Sequence, residues 1–405
     1  MTHPFRLHPI VATFAALSTL LGACAHQSAV PSSSTPTLTT PPQHAQKQAQ
    51  APEAQAQVQV QRQAVAPALY EIAYSARQNA IFVASAGGIM DKNGPTPRIL
   101  RLDPATLAVQ AEIPLERPGL GLVLDDQANR LYVGNAFHAS VTVVDTQTNR
   151  VTGVVQLAEK VRMTDFDGKP IERYPHNLRE LVLDKANERL FAPGIWISDS
   201  ALYVMNTRTL ALEKTIPGLG FGAAGTTLDA PAGKLYVSNM QGQLFTVDTR
   251  TLALEKTSEV AADQLLNLTL DRQKRLILAT DQGSDNPNMV REKFAKLAYQ
   301  IRGEGNRVVV IDPADGQVRQ SVPTGRHPVA LLIDEARHRL YVTNRGSGSV
   351  TVHDSRDYRL LHTFELPAHP NSLALDPVTG AVFVTIKNGE QDPKGSDESV
   401  ARIQF

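Results

Sequence analysis

The chain has 405 residues, 40 of them basic and 40 acidic, so its formal net charge at pH 7 is zero. This balance excludes a protein that attracts nucleic acid through an overall basic excess, although local basic clusters can still do so. The single cysteine excludes an internal disulfide, because that bond needs two thiols.

The first 24 residues predict an export signal. Arg6 precedes the apolar run "IVATFAALSTLLGA", which is too short to span a bilayer comfortably. The run ends directly before Cys24, and small residues before a cysteine are typical of a bacterial lipoprotein signal, in which that cysteine carries the lipid. Ala25 follows in place of aspartate, which predicts a periplasmic protein attached to the outer membrane. An ordinary secretory signal with a chance cysteine is the alternative.

Residues 25–56 predict a tether without a fold of its own. They are rich in alanine, glutamine, proline, serine and threonine, and they carry almost no charge and few large apolar side chains. Such a segment cannot bury enough apolar surface to fold. As a flexible chain it would span roughly 30 Å, which lifts a domain clear of the lipid headgroups.

From residue 67 onward, one unit recurs seven times. Its clearest copy is "HPVALLIDEARHRLYVTNRGSGSVTVHD" at residues 327–354, with an apolar strand, a polar turn and two further strands. The central residue of the second strand falls at Phe82, Tyr132, Phe191, Tyr236, Ile277, Tyr341 and Phe383. A four-stranded unit of about 42 residues, repeated seven times, predicts an all-β, seven-bladed propeller over residues 57–405.

The stretch "TRTLALEKT" occurs twice, at residues 207–215 and 249–257. Leucine, alanine, glutamate and lysine are good helix formers. However, both copies directly follow the third strand of a unit, where another unit has the alternating "TQTNRVTGVVQL". Alternation is typical of a strand, so we predict a turn and a fourth strand at both places.

The last unit reaches Phe405 directly after its third strand, which would leave an unpaired sheet edge. The alternating stretch "QVQVQRQAVA", Gln57–Ala66, lies just before the first unit. We predict that it supplies the missing strand and closes the ring.

Four long insertions interrupt the repeat, at residues 86–97, 157–175, 281–305 and 387–398. Each lies between the second and third strands of a blade or between two blades, and all such connections share one face of a propeller. We call it the loop face. Because binding residues are often carried by loops on a rigid scaffold, we expect the loop face to be functional.

Polar side chains near the start of each first strand are expected to line the central channel on the loop face. These candidates for ligand contact are Glu71, Arg117, His176, Arg179, Glu180, Asn267, Arg326, His327 and His369. Imidazole is a common metal ligand, but the histidines belong to blades 3, 6 and 7, which are spread around a wide ring. The sequence therefore predicts no metal site and no cofactor. The alternative to ligand contact is a polar lining of a water-filled channel.

The largest insertion contains "NMVREKFAKLAYQIRG", in which Val290, Phe294, Leu297 and Ile301 recur at helical spacing. The basic residues on its other sides are Arg291, Lys293, Lys296 and Arg302. This pattern predicts a helix that starts near Pro287 and forms a basic lid for an anionic ligand. A docked helix with a solvated polar face is the alternative.

The motif Tyr341-Val342-Thr343-Asn344 and its looser copies at residues 132–135 and 236–239 resemble the YVTN-repeat β-propeller family. The stretches "YEIAYSARQNAIFVAS", "RLDPATLAV", "RELVLD" and "HPNSLALD" extend the resemblance toward one bacterial periplasmic member of it. The resemblance covers residues 67–405. It implies a propeller that is able to bind single-stranded DNA and has no established enzymatic activity. The lipoprotein signal departs from it, since a simply periplasmic protein would not need one.

The sequence thus predicts a non-enzymatic extracytoplasmic binding module, a lipid-tethered monomer that takes a polymer or protein partner on its loop face. Single-stranded DNA is a ligand implied by the resemblance alone. One alternative is a propeller enzyme of the lactonase or quinone-dependent dehydrogenase type, with Glu71, Glu180, Asn267 and His176 in the channel. No separate catalytic motif appears, so no catalytic residue is predicted. The other alternative is a scaffold in envelope assembly.

Overall fold

Seven antiparallel sheets form the blades of a β-propeller in the computed structural model, which describes residues 59–88, 93–164 and 169–405. Each blade has four strands, except that the first strand of blade 3 is split in two. The predicted all-β, seven-bladed fold is therefore confirmed. The predicted export signal, Cys24 and the tether lie outside the described residues. The described part contains no helix long and apolar enough to cross a membrane.

The strands of the first three blades follow the chain in order. Strand β1 (Gln59–Ala66) comes first and belongs to blade 7. Blade 1 consists of β2 (Leu69–Ser75), β3 (Ala80–Ser85), β4 (Arg98–Leu102) and β5 (Val109–Pro114). Blade 2 consists of β6 (Gly119–Asp125), β7 (Arg130–Asn135), β8 (Ser140–Asp145) and β9 (Arg150–Gln156). A separate hairpin follows, formed by β10 (Val161–Thr164) and β11 (Pro170–Arg173). Blade 3 consists of β12 (Asn177–Leu178), β13 (Val182–Asp184), β14 (Arg189–Ile195), β15 (Ala201–Asn206) and β16 (Ala211–Ile216).

The remaining four blades complete the ring. Blade 4 consists of β17 (Gly225–Asp229), β18 (Lys234–Ser238), β19 (Gln243–Asp248) and β20 (Leu254–Glu259). Blade 5 consists of β21 (Leu265–Asp271), β22 (Leu276–Asp281), β23 (Arg307–Ile311) and β24 (Val318–Pro323). Blade 6 consists of β25 (Pro328–Asp334), β26 (Arg339–Asn344), β27 (Ser349–Asp354) and β28 (Leu360–Glu365). Blade 7 consists of β29 (His369–Leu375), β30 (Val382–Lys387), β31 (Glu398–Gln404) and β1.

The first strands of the blades surround the central channel. Neighbouring first strands contact one another all the way round, in the pairs β2–β6, β6–β13, β13–β17, β17–β21, β21–β25, β25–β29 and β29–β2. Because the strands of a blade are antiparallel, successive connections alternate between the two faces of the ring. The four predicted insertions all fall in connections of the loop face, so their placement is confirmed.

The duplicated stretch "TRTLALEKT" forms a turn and an outer strand in both copies, as predicted. In the second copy, Oδ1 of Asp248 accepts hydrogen bonds from the backbone N–H groups of Arg250 and Thr251, at 3.0 and 2.8 Å. Leu252 then takes a left-handed conformation, with a φ of 59°, before β20 begins. In the first copy, Oδ1 of Asn206 accepts the corresponding hydrogen bonds from the backbone N–H groups of Arg208 and Thr209. This side-chain-led turn outweighs the helix preference of the residues that follow.

The helix in the largest insertion is shorter than its apolar spacing predicts. Helix α1 (Asp285–Val290) continues as one π-helical turn over Arg291–Ala295, and Lys296 ends it in a left-handed conformation. The prediction that the helix extends to Ile301 is wrong, and Ile301 is 60% exposed. Val290, Phe294 and Leu297 pack against an apolar cluster as the spacing predicts, but the left-handed Lys296 ends the helix before Ile301 can join them. The buried guanidinium of Arg291 adds a hydrogen bond to the backbone oxygen of Met240.

Strand β1 closes the ring, as the alternation in Gln57–Ala66 predicts. It pairs antiparallel with β31, from Gln59 opposite Gln404 to Ala66 opposite Glu398. The strand that precedes the first blade thereby becomes the outer strand of the last one, so β31 is paired on both sides and blade 7 has four strands like its neighbours.

A charged pair reinforces this closure next to the channel. Oε2 of Glu398 accepts hydrogen bonds from the backbone N–H of Leu69, at 2.6 Å, and from Nζ of Lys387, at 3.2 Å. The ammonium group of Lys387 also lies 3.9 Å from the centroid of the Tyr70 ring. Both charged side chains are nearly buried, with 11% and 10% of their surface exposed. Glu398 therefore joins blade 7 to the start of blade 1.

Replacing Glu398 by alanine is expected to destabilise the propeller by about 3 kcal/mol, because it leaves the buried Lys387 charge and the Leu69 N–H without their partner. Urea denaturation gives the free energy of unfolding. Glu112→Ala is the matched control, since it removes the 52%-exposed partner of Arg98 and is expected to cost less than about 1 kcal/mol. Equal losses in the two variants would contradict the role assigned to Glu398.

Candidate functional site

A groove on the loop face opens between blades 2 and 3, with a volume of about 460 Å³. We call it the blade 2–3 groove. Its lining residues are Glu116, Arg117, Phe137, His138, Lys160, Glu172, Arg173 and Tyr174. Three cationic side chains, two carboxylates, one imidazole and two aromatic rings therefore meet at a single depression.

Three separate chain segments build this groove. Glu116 and Arg117 lie in the connection that leads into β6, and Phe137 and His138 lie in the tight turn between β7 and β8. The other lining residues come from the insertion between blades 2 and 3, which places the β10–β11 hairpin beside that turn. The insertion thus supplies one wall of the groove.

The cations of the groove are oriented by neutral partners. Nη1 of Arg117 donates to Oε1 of Gln156 at 2.9 Å, and Nε of Arg173 donates to the backbone oxygen of Tyr174 at 3.0 Å. The guanidinium of Arg173 stacks 3.8 Å from the centroid of the Trp196 ring, and burial lowers its pKa to about 10. Nζ of Lys160 lies 5.6 Å from the centroid of the Tyr174 ring.

Across residues 59–88, 93–164 and 169–405, no carboxylate forms an ion pair with Arg117, Lys160 or Arg173. Many other basic side chains of this neutral protein are paired with aspartate or glutamate, as Lys185 is with Asp125. The cations of the groove therefore keep their charge available to an anion from outside.

An imidazole lies among these cations. Nδ1 of His138 is 2.5 Å from the backbone oxygen of Ala136, and its ring centroid is 6.0 Å from that of Tyr174. Burial lowers the pKa of His138, the hydrogen bond to Ala136 opposes this, and the charges of Arg117 and Lys160 lower it further. The ring is therefore neutral near pH 7 in the absence of an anion.

Deeper in the molecule, polar side chains of blades 1, 3, 5 and 7 meet in the channel. We call the group Glu71, Arg179, Glu180, Asn267 and Ser372 the channel cluster. Nη1 of Arg179 donates to Oδ1 of Asn267 at 2.7 Å and to Oε1 of Glu180 at 3.3 Å. The hydroxyl of Ser372 donates to Glu71. All members except Ser372 were predicted from their position near the strand starts, and the structure brings these predicted residues together.

Two carboxyl groups share one guanidinium in this cluster. Burial raises the pKa of Glu180 to about 8; the charge of Arg179 opposes this shift and that of Glu71 adds to it. Burial also raises the pKa of Glu71, against the hydrogen bond from Ser372 and the charge of Arg179. Glu180 is therefore largely protonated near neutral pH.

A close backbone contact fixes the position of Arg179. A Cβ atom built on Gly121 of β6 would lie 1.8 Å from the backbone oxygen of Arg179. Only glycine allows blades 2 and 3 to approach this closely. Gly121 of blade 2 thus allows the backbone of Arg179, in blade 3, to pack directly against β6.

The other predicted residues do not join the channel cluster. His176 contacts the Tyr203 hydroxyl through Nδ1, at 2.6 Å, and the backbone oxygen of Asp199 through Nε2, at 3.0 Å. His327 and His369 lie at the start of blades 6 and 7. Partial burial lowers the pKa of His327, and the charge of the neighbouring Arg326 lowers it further. In the described part of the chain, no three His, Cys, Asp or Glu residues are grouped so that they could hold a metal ion.

The basic residues of the largest insertion differ in their surroundings. Arg291 is 4% exposed, and its Nη1 lies 3.1 Å from Oδ1 of the buried Asp263. Arg302 pairs with Glu259, whereas Lys293 and Lys296 are exposed to solvent. Arg291 therefore anchors the insertion, and its charge is already balanced inside the protein.

Most of the groove was not identified from the sequence. Arg117 was predicted from its position before a first strand, but Phe137, His138, Lys160, Arg173 and Tyr174 were not. Residues 157–175 had been recognised as an insertion on the functional face. The available signal was the pair of stretches "KVR" and "IERY" in that insertion, which carry basic residues in both and an aromatic residue, Tyr174, at the end of the second.

Comparisons with known proteins agree with this architecture. No protein-family model matches the chain. A Salmonella typhimurium protein named YncE is 29% identical over 329 residues, which cover 80% of this chain and 84% of that protein. The Escherichia coli K12 protein of the same name is 29% identical over 347 residues, which cover 84% and 90% of the two chains. Hydrazine synthase of Kuenenia stuttgartiensis superimposes with a TM-score of 0.61 and 15% identity, over 79% of this chain and 93% of that one. This last likeness shows the fold alone.

The channel cluster predicts a pH-dependent stability. Because the pKa of Glu180 is raised in the folded protein, its contribution to stability is complete below about pH 4.5 and is lost as the pH rises to about 8. Between these values the free energy of unfolding is expected to fall by up to about 1.4 kcal/mol per pH unit for one proton. Glu180→Gln should lose most of this slope in urea denaturation, and the exposed Glu365→Gln should keep it. An unchanged slope in Glu180→Gln would contradict the assignment.

Proposed function

This chain belongs to the YncE-like β-propellers, and from that premise we propose that it is a non-enzymatic binding module that holds an extended anionic polymer in the blade 2–3 groove. The polymer that combines negative charge with flat apolar groups is single-stranded nucleic acid, so we propose it as the ligand. The alternative ligand is an envelope protein with an acidic, aromatic-rich segment.

The observation that carries this proposal is the set of three cations without carboxylate partners among the described residues. Arg117, Lys160 and Arg173 line one groove and are held by neutral hydrogen-bond acceptors and aromatic rings. A phosphate placed there can contact these three cations without breaking an ion pair between described residues, although the carboxylates of Glu116 and Glu172 in the same lining offset part of the positive charge. Phosphate contacts of this kind supply most of the affinity of non-specific nucleic-acid binding.

The aromatic rings of the groove support the choice of a single strand. Phe137 and Tyr174 line the same depression as the cations. Bases of a single strand are free to stack on aromatic side chains, whereas bases inside a duplex are not. A stacked base between two phosphate contacts would use the cationic and the aromatic lining together.

We also propose that the propeller works outside the cytoplasm, where a lipid on Cys24 holds it to the outer membrane from the periplasmic side. The small residues before Cys24 and the alanine after it support this location. The uncharged segment at residues 25–56 would then let the loop face reach a polymer at some distance from the membrane.

The double variant Arg117→Gln/Lys160→Gln is expected to weaken binding of a fluorescein-labelled oligothymidylate, measured by fluorescence anisotropy at several salt concentrations. Each lost phosphate contact lowers the slope of log K against log salt by about 0.7 for a single strand, so the slope should fall by about 1.4. Tyr174→Ala should weaken binding by about fivefold to a hundredfold at every salt concentration, because it removes stacking.

The matched control for that experiment is Lys185→Gln/Arg208→Gln, which removes the same charge from the opposite face. It should leave both the affinity and the salt slope unchanged. Wild-type binding that does not fall with rising salt would refute phosphate contact. If an acidic, aromatic-rich peptide binds and the oligonucleotide does not, the ligand is a protein segment.

Cys24→Ala is expected to release the protein from the membrane fraction into the soluble periplasmic fraction, because the lipid would have no attachment site. Fractionation of cells that express wild type or variant, together with labelling by radioactive palmitate, measures this. Ser32→Ala, in the adjoining tether, is the control. Equal fractionation of Cys24→Ala and wild type would contradict the lipid anchor.

A further inference from the structure

We propose that His138 is the proton-linked contact of the anion that the blade 2–3 groove binds, so that binding draws a proton onto Nε2 and acidification tightens the complex. The inference rests on the proposed function in one respect, that the groove binds an anion. It does not depend on whether that anion is part of a nucleic acid.

The backbone determines which nitrogen takes the proton. Nδ1 of His138 lies 2.5 Å from the backbone oxygen of Ala136, which can only accept a hydrogen bond, so Nδ1 carries a hydrogen in the neutral ring. The turn itself is held by Gln156, whose Nε2 donates to the backbone oxygen of His138 at 2.7 Å. Nε2 of the imidazole is therefore left as the free basic site of a ring that lines the groove.

Charged groups face this ring from every wall of the groove. The connection before β6 contributes Glu116 and Arg117, and the segment after β9 contributes Lys160. The hairpin contributes Glu172 and Arg173, with Tyr174 next to them. Of these, Arg117 and Lys160 act most strongly on His138, and both oppose a positive charge on it, in addition to burial. An unoccupied groove thus keeps His138 neutral at higher acidity than a free imidazole.

A bound anion reverses this balance. Its negative charge among Arg117, Lys160 and His138 offsets the two cations and favours the imidazolium form, which can donate a hydrogen bond from Nε2. By linkage, a ligand that raises proton affinity is itself bound more tightly by the protonated protein. One linked proton changes affinity by at most tenfold per pH unit. Because the group titrates over only part of the range, we expect a gain of about threefold to tenfold between about pH 7.5 and about pH 5.5.

The first test measures oligothymidylate binding at constant ionic strength over this pH range. Thymine bases do not titrate there, so the pH dependence belongs to the protein. Wild type should bind about threefold to tenfold more tightly at the acidic end, and His138→Gln should show no such gain. His362→Gln, on the outer strand of blade 6, is the control and should behave as wild type. A gain of the same size in His138→Gln would overturn the inference.

The second test separates this inference from the proposed function. NMR titration of the His138 ring is carried out on the full-length protein with and without sulfate, which stays a dianion throughout the range. Sulfate should raise the titration midpoint of His138 in wild type and should raise it less in Arg117→Gln/Lys160→Gln. A midpoint that sulfate leaves unchanged would refute the proton-linked anion site. A raised midpoint in a protein that binds no oligothymidylate would retain this site and refute the nucleic-acid ligand.

Discussion

Closure of the ring is the constraint on which the other features depend. Strand β1 pairs with β31, and three residues later the chain begins the first strand of blade 1, next to the channel. The carboxylate of Glu398 binds the backbone N–H of Leu69 at this passage from one blade to the next. Once the last and first blades are joined, the seven first strands have fixed neighbours on both sides. The loop face is then a rigid platform, and side chains far apart in the sequence acquire fixed relative positions.

Two sites show what this platform makes possible. In the channel, the guanidinium of Arg179 reaches Asn267, which is 88 residues further along the chain and two blades away. In the blade 2–3 groove, neutral acceptors and aromatic rings hold three cations, and none of the three forms an ion pair with a carboxylate of the described residues. The first arrangement balances charge inside the protein, and the second leaves charge unbalanced at the surface. A surface with uncompensated cations is the one suited to bind an anion.

The sequence determined the scaffold far better than the groove, for a physical reason. Seven copies of one strand pattern average out local exceptions, so the blade number, the outer strands formed by "TRTLALEKT" and the closing strand could all be predicted. The groove depends on the β10–β11 hairpin, which has no counterpart in the described parts of the other blades, so no repeated position indicated Lys160 or Tyr174. The helix end at Lys296 was missed because apolar spacing carries no information on a left-handed residue. The lipid anchor and the ligand remain predictions.

The duplicated nine residues have a consequence for the way the chain reaches its native state. Outer strands β16 and β20 carry the same letters in adjacent blades, so the third strand of blade 3 could pair with the outer strand of blade 4 with similar local contacts. Chain connectivity discriminates between them, since the correct partner begins five residues after Asn206 and the wrong one begins 48 residues after it. The difference in loop-closure entropy favours the correct partner by about 2 kcal/mol. During synthesis, β16 also emerges first, so the order of translation protects this repeat against blade exchange.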